Sequence, residues 1–186
     1  MKHEVVVTFT GRGVSSMANH GGSGHWTAAP GHLKKASYLI CVRNRRRDHE
    51  EWAEEDLPHG TAFLLARVTG VSEAPRRTPT QKQRYIVTFD EYTEIEVEDA
   101  WHKCTGGQRF PVAYSSRAEV EAALGIDFEA PEREWKRLSD RRPEQDGAAV
   151  EGDDDTPPAL TVEQAKQGLA VHFGVSPEQI DIQVTF

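Results

Sequence analysis

The chain has only two cysteines, Cys41 and Cys104, in 186 residues, together with no long apolar run and no catalytic motif of high specificity. So few cysteines exclude a disulfide scaffold and fit a reducing compartment. No window approaches the roughly 18 consecutive apolar residues of a membrane-spanning helix, so the chain reads as soluble. The opening MKHEVVVTFT has neither an apolar stretch of signal-peptide length nor a small-residue cleavage site, and a cytoplasmic protein is expected. Apolar residues are lean, 37% against 28% charged, which fits a folded part diluted by a linker.

Charge is distributed unevenly. Residues 1–117 hold 16 Lys and Arg against 14 Asp and Glu, while residues 118–186 hold 6 against 16. The overall net charge of −8 thus hides a near-neutral first part and a strongly acidic remainder. An acidic balance argues against a polyanionic partner, yet the first part carries the cluster Arg43, Arg45, Arg46 and Arg47.

Along the chain, residues 4–10 alternate and are β-branched, which predicts a strand with Val5, Val7 and Phe9 on one face. Residues 11–32 hold six glycines and three histidines with almost no aliphatic side chains, and read as a long loop. Core strands are predicted at 38–42 and 61–71, with a short acidic helix over 48–57 between them. Segments 84–89 and 92–97 read as a hairpin turning at Asp90-Glu91, and 110–114 as an edge strand. Ser116 caps a helix that runs to Leu124 and stops at Gly125. The fold class is therefore α+β: a mostly β, barrel-like domain over 1–128 with few helices. Residues 129–158 are predominantly Gly, Pro, Asp and Glu and are expected as an acidic disordered linker. Residues 159–186 read as a small helix-strand unit, opened by the capping-box form Thr161-Val162-Glu163-Gln164 and closed by alternating Ile180, Ile182, Val184 and Phe186. A unit of that size needs a surface to pack on, and a protein partner is one candidate.

Chemistry-bearing residues offer several candidates. The arginine cluster, interleaved with Trp26 and Trp52 for stacking, suits a phosphate-contacting, nucleic-acid-binding surface. Glu50, Glu51, Glu54 and Glu55 follow at once, so a self-paired surface is the alternative. His59 lies directly before a core strand, where a general base would line a cleft mouth. His102 and Cys104 form a second catalytic candidate, with Cys104 either a structural or a reactive thiol. Residues 19–26 are glycine-rich without the Gly-x-x-x-x-Gly-Lys-Ser/Thr pattern, so the glycines permit close approach to a ligand, a base or a neighbouring strand. Histidine and cysteine spacings match no named zinc pattern, and neither metal nor cofactor is expected.

The order Tyr38-Leu39-Ile40-Cys41-Val42-Arg43-Asn44, a short acidic helix, then His59-Gly60-Thr61-Ala62-Phe63-Leu64-Leu65-Ala66 resembles the small PUA-like barrels, the group that includes ASCH and EVE domains. The resemblance covers about residues 20–128. It implies a domain that binds RNA or modified bases in a loop-lined cleft, and in some ASCH proteins an enzyme acting on nucleic-acid components. The Gly-x-Lys-x-x-Glu-x-Arg signature of ASCH domains is absent, so it assigns no site residues. Segments 21–26 and 59–66 also resemble bacterial proteins, a likeness that brings no activity with it. The leading expectation is a module binding nucleic acid or a nucleobase-like ligand. The alternatives are a hydrolase or transferase using His59 or the His102/Cys104 pair, and an adaptor acting through residues 159–186.

Overall fold

A computed structural model describes residues 4–45, 56–76, 78, 80–141, 166 and 176. Arg46, Arg47, Trp52, most of the expected 48–57 helix, the linker beyond 141 and nearly all of 159–186 lie outside the described residues. The chain divides into two units, Met1–Pro143 and Glu144–Phe186.

β1 (Val5–Thr10) buries both faces, as a strand inside a two-sided sheet must. Val5 and Val7 enter one core and Val6 the other, so the alternation seen in sequence separates two cores rather than core from solvent. β1 runs parallel to β3 (Tyr38–Arg43), with Val5 opposite Tyr38 and Thr10 opposite Arg43. The remaining pairings are antiparallel: β3 with β4 (Ala62–Glu73), β4 with β5 (Tyr85–Val97), β5 with β2 (Gly22–Trp26), β1 with β6 (Val112–Ser115), and β7 (Lys136–Arg137) against β5. The order β2-β5-β4-β3-β1-β6 places β1 and β2 far apart along the sheet. Yet Thr8 Oγ1 on β1 lies 3.5 Å from Ser23 Oγ on β2. The sheet therefore curls into a half-barrel, and the architecture is α+β with a mixed sheet and few helices.

The concave side is filled by Val6, Leu39, Cys41, Leu64 and Phe89, closed by α1 (Val14–His20) and α2 (Pro30–Leu33). The convex side carries Val5, Ile40 and Leu65 under α3 (Ala100–Thr105) and α4 (Arg117–Leu124). α4 has the cap expected of Ser116, whose Oγ accepts from Glu119 N–H while the Glu119 carboxylate accepts from Ser116 N–H at 3.0 Å.

Three expectations are corrected. The long loop expected over 11–32 is instead α1, β2 and α2: Val14, Met17 and Ala18 recur at helical spacing and are buried, and Gly21 at φ 73° ends the helix. Gly22 then lets β2 lie close on β5, since a Cβ there would meet the Val87 carbonyl oxygen at 2.2 Å. The expected hairpin at Asp90-Glu91 does not form, and β5 runs unbroken from Tyr85 to Val97. A tight two-residue hairpin of the favoured type needs positive φ, and Asp99 is the one non-glycine with positive φ among the described residues. Finally, residues 129–141, expected as the start of the linker, pack on the sheet: β7 pairs with β5 and Leu138 is 6% exposed. Among the described residues no helix is long and apolar enough to cross a membrane.

Candidate ligand cleft

Besides a shift between Ala62 and Leu64, the β4–β5 ladder shifts its register twice in succession near its middle. Arg67 faces Glu91 and Val68 faces Phe89, which leaves Asp90 as an extra residue on β5; Gly70 then faces Thr88, which leaves Thr69 as an extra residue on β4. Bulges re-aim side chains, and here both extra residues line one cleft. That cleft has a volume of about 680 Å³. Ala18 and Gly21 at the end of α1 form one wall and Arg137, Leu138 and Ser139 another, with Phe89 and Leu138 as its apolar base.

Charge around the cleft is largely committed. Arg67 donates to Glu91 Oε2 at 3.0 Å and to Glu129 Oε2 at 2.6 Å, and its guanidinium lies 3.9 Å from the centre of the Trp135 ring. Tyr38 O–H donates to the other Glu129 oxygen at 2.6 Å, and this bond, with Arg67 behind it, holds the Glu129 carboxyl below its ordinary range. On the far side of the 136–141 segment, Arg141 and Lys136 both reach Glu94 Oε1 at 3.0 Å. Asp90 and Arg137 differ: among the described residues neither side chain makes a hydrogen bond or an ion pair. The cleft thus offers one uncommitted carboxylate and one uncommitted guanidinium above an apolar base.

Of the residues singled out from sequence, the described ones, Arg43, Arg45, Trp26, His59, His102 and Cys104, do not line this cleft. Arg43 is fully buried at the end of β3, where Nη1 donates to Gly11 O at 2.9 Å and the guanidinium lies 4.3 Å from the Phe63 ring centre. Arg45 is exposed and ion-paired with Asp56. Trp26 is 8% exposed in the concave core, its Nε1–H donating to Ser23 Oγ at 3.2 Å. Arg43 and Trp26 are therefore parts of the interior, because both faces of β3 and the inner face of β2 are covered. Arg45 and His59 do come together, with Arg45 N–H donating to His59 Nδ1 at 3.1 Å. That bond places the proton of the neutral ring on Nε2, so a neutral His59 has its one acceptor nitrogen occupied. His102 is exposed beside Asp99 at 3.9 Å, whereas Cys104 packs against the convex core. Two positions on a helix are about 200° apart, so the pair does not converge. Burial also pushes the Cys104 thiol up to about 11, against which the nearby Lys103 is a smaller effect. Among the described residues no three His, Cys, Asp or Glu side chains group as metal ligands.

Sequence reasoning missed Asp90 because it read the bulge as a turn, and Arg137 because it read 129–141 as linker. Trp135 and Leu138 were the available signal for the second, two large apolar residues spaced three apart in an otherwise polar stretch. No family model, no curated protein and no solved structure matches the chain, so the cleft must be interpreted from its own geometry.

Proposed function

We propose that the chain is a binding module for a nucleobase-like ligand, held in the cleft between α1, the bulged part of β4–β5 and residues 137–139. The carrying observation is the cleft's make-up: Phe89 and Leu138 beneath, with Asp90 and Arg137 uncommitted at the rim. Its 680 Å³ falls within the roughly 300–1,000 Å³ typical of small-molecule sites. A planar heterocycle presents apolar faces to such a base and a polar edge to such a rim.

The ion pairs support a small ligand over a phosphodiester strand. Arg45, Arg67, Arg117 and Arg141 each have a carboxylate partner, so they offer little uncompensated charge to a phosphate backbone. The protonated Cys104 thiol and the occupied acceptor of His59 favour binding over turnover. The resemblance to PUA-like barrels belongs to the same proposal, the cleft being then the counterpart of the one in which those domains hold bases.

Calorimetric titration of the full chain with nucleosides tests the reading, alongside Thr69→Trp, an exposed position that would fill the cleft without entering the core. Binding that depends weakly on salt and disappears in Thr69→Trp, with the melting temperature unchanged, is expected. Absence of nucleoside binding at millimolar concentration, or equal binding by the filled variant, overturns it.

A further inference from the structure

We propose that the cleft selects a guanine-type base edge, with Asp90 and Arg137 as the specificity-determining pair. This rests on the nucleobase reading above and sharpens it. Asp90 stands out of the β4–β5 register on its bulge, and Arg137 comes from β7, where it pairs with Glu91, the residue next to Asp90. The two side chains thus approach one cleft from adjoining strands without being paired to each other.

The chemistry of the pair narrows the ligand. A carboxylate only accepts, through two oxygens, and a guanidinium only donates, through a planar fork. The ligand edge must therefore carry two neighbouring donors next to two neighbouring acceptors. Guanine does so: N1–H and the N2 amino group would donate to Asp90, and O6 and N7 would accept from Arg137. Adenine and cytosine place a ring-nitrogen acceptor beside their single amino donor, which sets a lone pair against a carboxylate. Uracil has one N–H between two carbonyls and cannot give Asp90 two bonds. Arg67 is not the reader in this scheme, since Glu91 and Glu129 already occupy it.

The test is calorimetry on the full chain with guanosine, inosine, adenosine, cytidine, uridine and free glycine as probes. Guanosine should bind about 10- to 100-fold tighter than adenosine, the discrimination of one bidentate contact. Inosine, which lacks the N2 amino group, should fall between them. Asp90→Asn and Arg137→Ala alter exposed side chains and should keep the wild-type melting temperature. Asp90→Asn should remove the guanosine preference, and Arg137→Ala should weaken guanosine and inosine alike. Equal binding of all nucleosides, or a preference unchanged by Asp90→Asn, overturns the guanine assignment while leaving the nucleobase reading in place. Binding of no nucleoside overturns both, and binding of glycine alone would reassign the pair to a zwitterion.

Discussion

Asp90 and Thr69 are the extra residues of two consecutive bulges on facing strands, and both open into the same cleft. The second shift cancels the first, so Ala66 opposite Tyr92 and Val71 opposite Val87 keep the pairing sum they would have in an unbroken ladder. The sheet gains two displaced side chains while the strands on either side stay aligned.

Gly22 and Gly125 both have positive φ but for different reasons. Gly22, at φ +152°, lies where a Cβ would strike the Val87 carbonyl at 2.2 Å, whereas Gly125, at φ +68°, ends α4 with nothing within 4 Å. Gly22→Ala should cost about 3 kcal/mol or more, since backbone must move as well as adopt a strained conformation. Gly125→Ala should cost about 1 kcal/mol, the ordinary penalty of a left-handed cap. Urea denaturation of the two variants reads the difference, and equal losses would refute the close approach of β2 to β5.

Leu138 is 6% exposed and belongs to the concave core, while Phe110 is 76% exposed. Leu138→Ala should destabilise by about 2–4 kcal/mol and Phe110→Ala by less than about 0.5 kcal/mol. If Leu138→Ala were as mild as Phe110→Ala, residues 129–141 would not be part of the folded sheet.

Glu129 bears on stability through pH. Its folded-state carboxyl is lowered from 4.5, first by the Tyr38 hydrogen bond and then by Arg67. A depressed carboxyl contributes stability that is complete above its unfolded value and disappears as pH falls through the folded one. Glu129→Gln should therefore be less stable than wild type at neutral pH, and the gap should close as pH falls below 4.5. With the side chain 39% exposed, screening keeps the gap near or below about 1 kcal/mol. Thermal melts of both proteins across acid pH check the sign; a gap that widens on acidification would contradict it.

Cys41 and Cys104 are both pushed up from 9.0 to about 11, principally by burial. Thiols raised in this way carry far less thiolate at neutral pH than an ordinary cysteine. Iodoacetamide at pH 8 should label both slowly in the native protein and rapidly in urea, as followed by intact mass. Fast native labelling of Cys104 would restore it as a candidate nucleophile.

What was legible in the sequence follows the range of the forces involved. The strand at Val5–Thr10, the strand at Tyr38–Arg43 and the helix between Ser116 and Gly125 are written in local signals: β-branched alternation, a short apolar run, and an N-cap with a closing glycine. β2 was hidden because Gly22 and Gly24 answer to distant neighbours on β5, the Val87 backbone and the Ile86 side chain, and look like loop residues without them, and α1 because its buried face is only Val14, Met17 and Ala18. The cleft was hidden more deeply. Asp90 becomes an outlying side chain only when β4 supplies its register, and Arg137 reaches the rim only because Trp135 and Leu138 find partners on opposite faces of the sheet.

The sequence by itself determined the α+β character, the strands at Val5–Thr10 and Tyr38–Arg43 and the charge split between the first 117 residues and the rest, because these depend on residue type and short-range spacing. The tertiary structure alone decided that Arg43 and Trp26 are interior residues and that Asp90, Thr69 and Arg137 share a cleft. Strand order and register bring together positions dozens of residues apart, and no local pattern encodes which of them will meet.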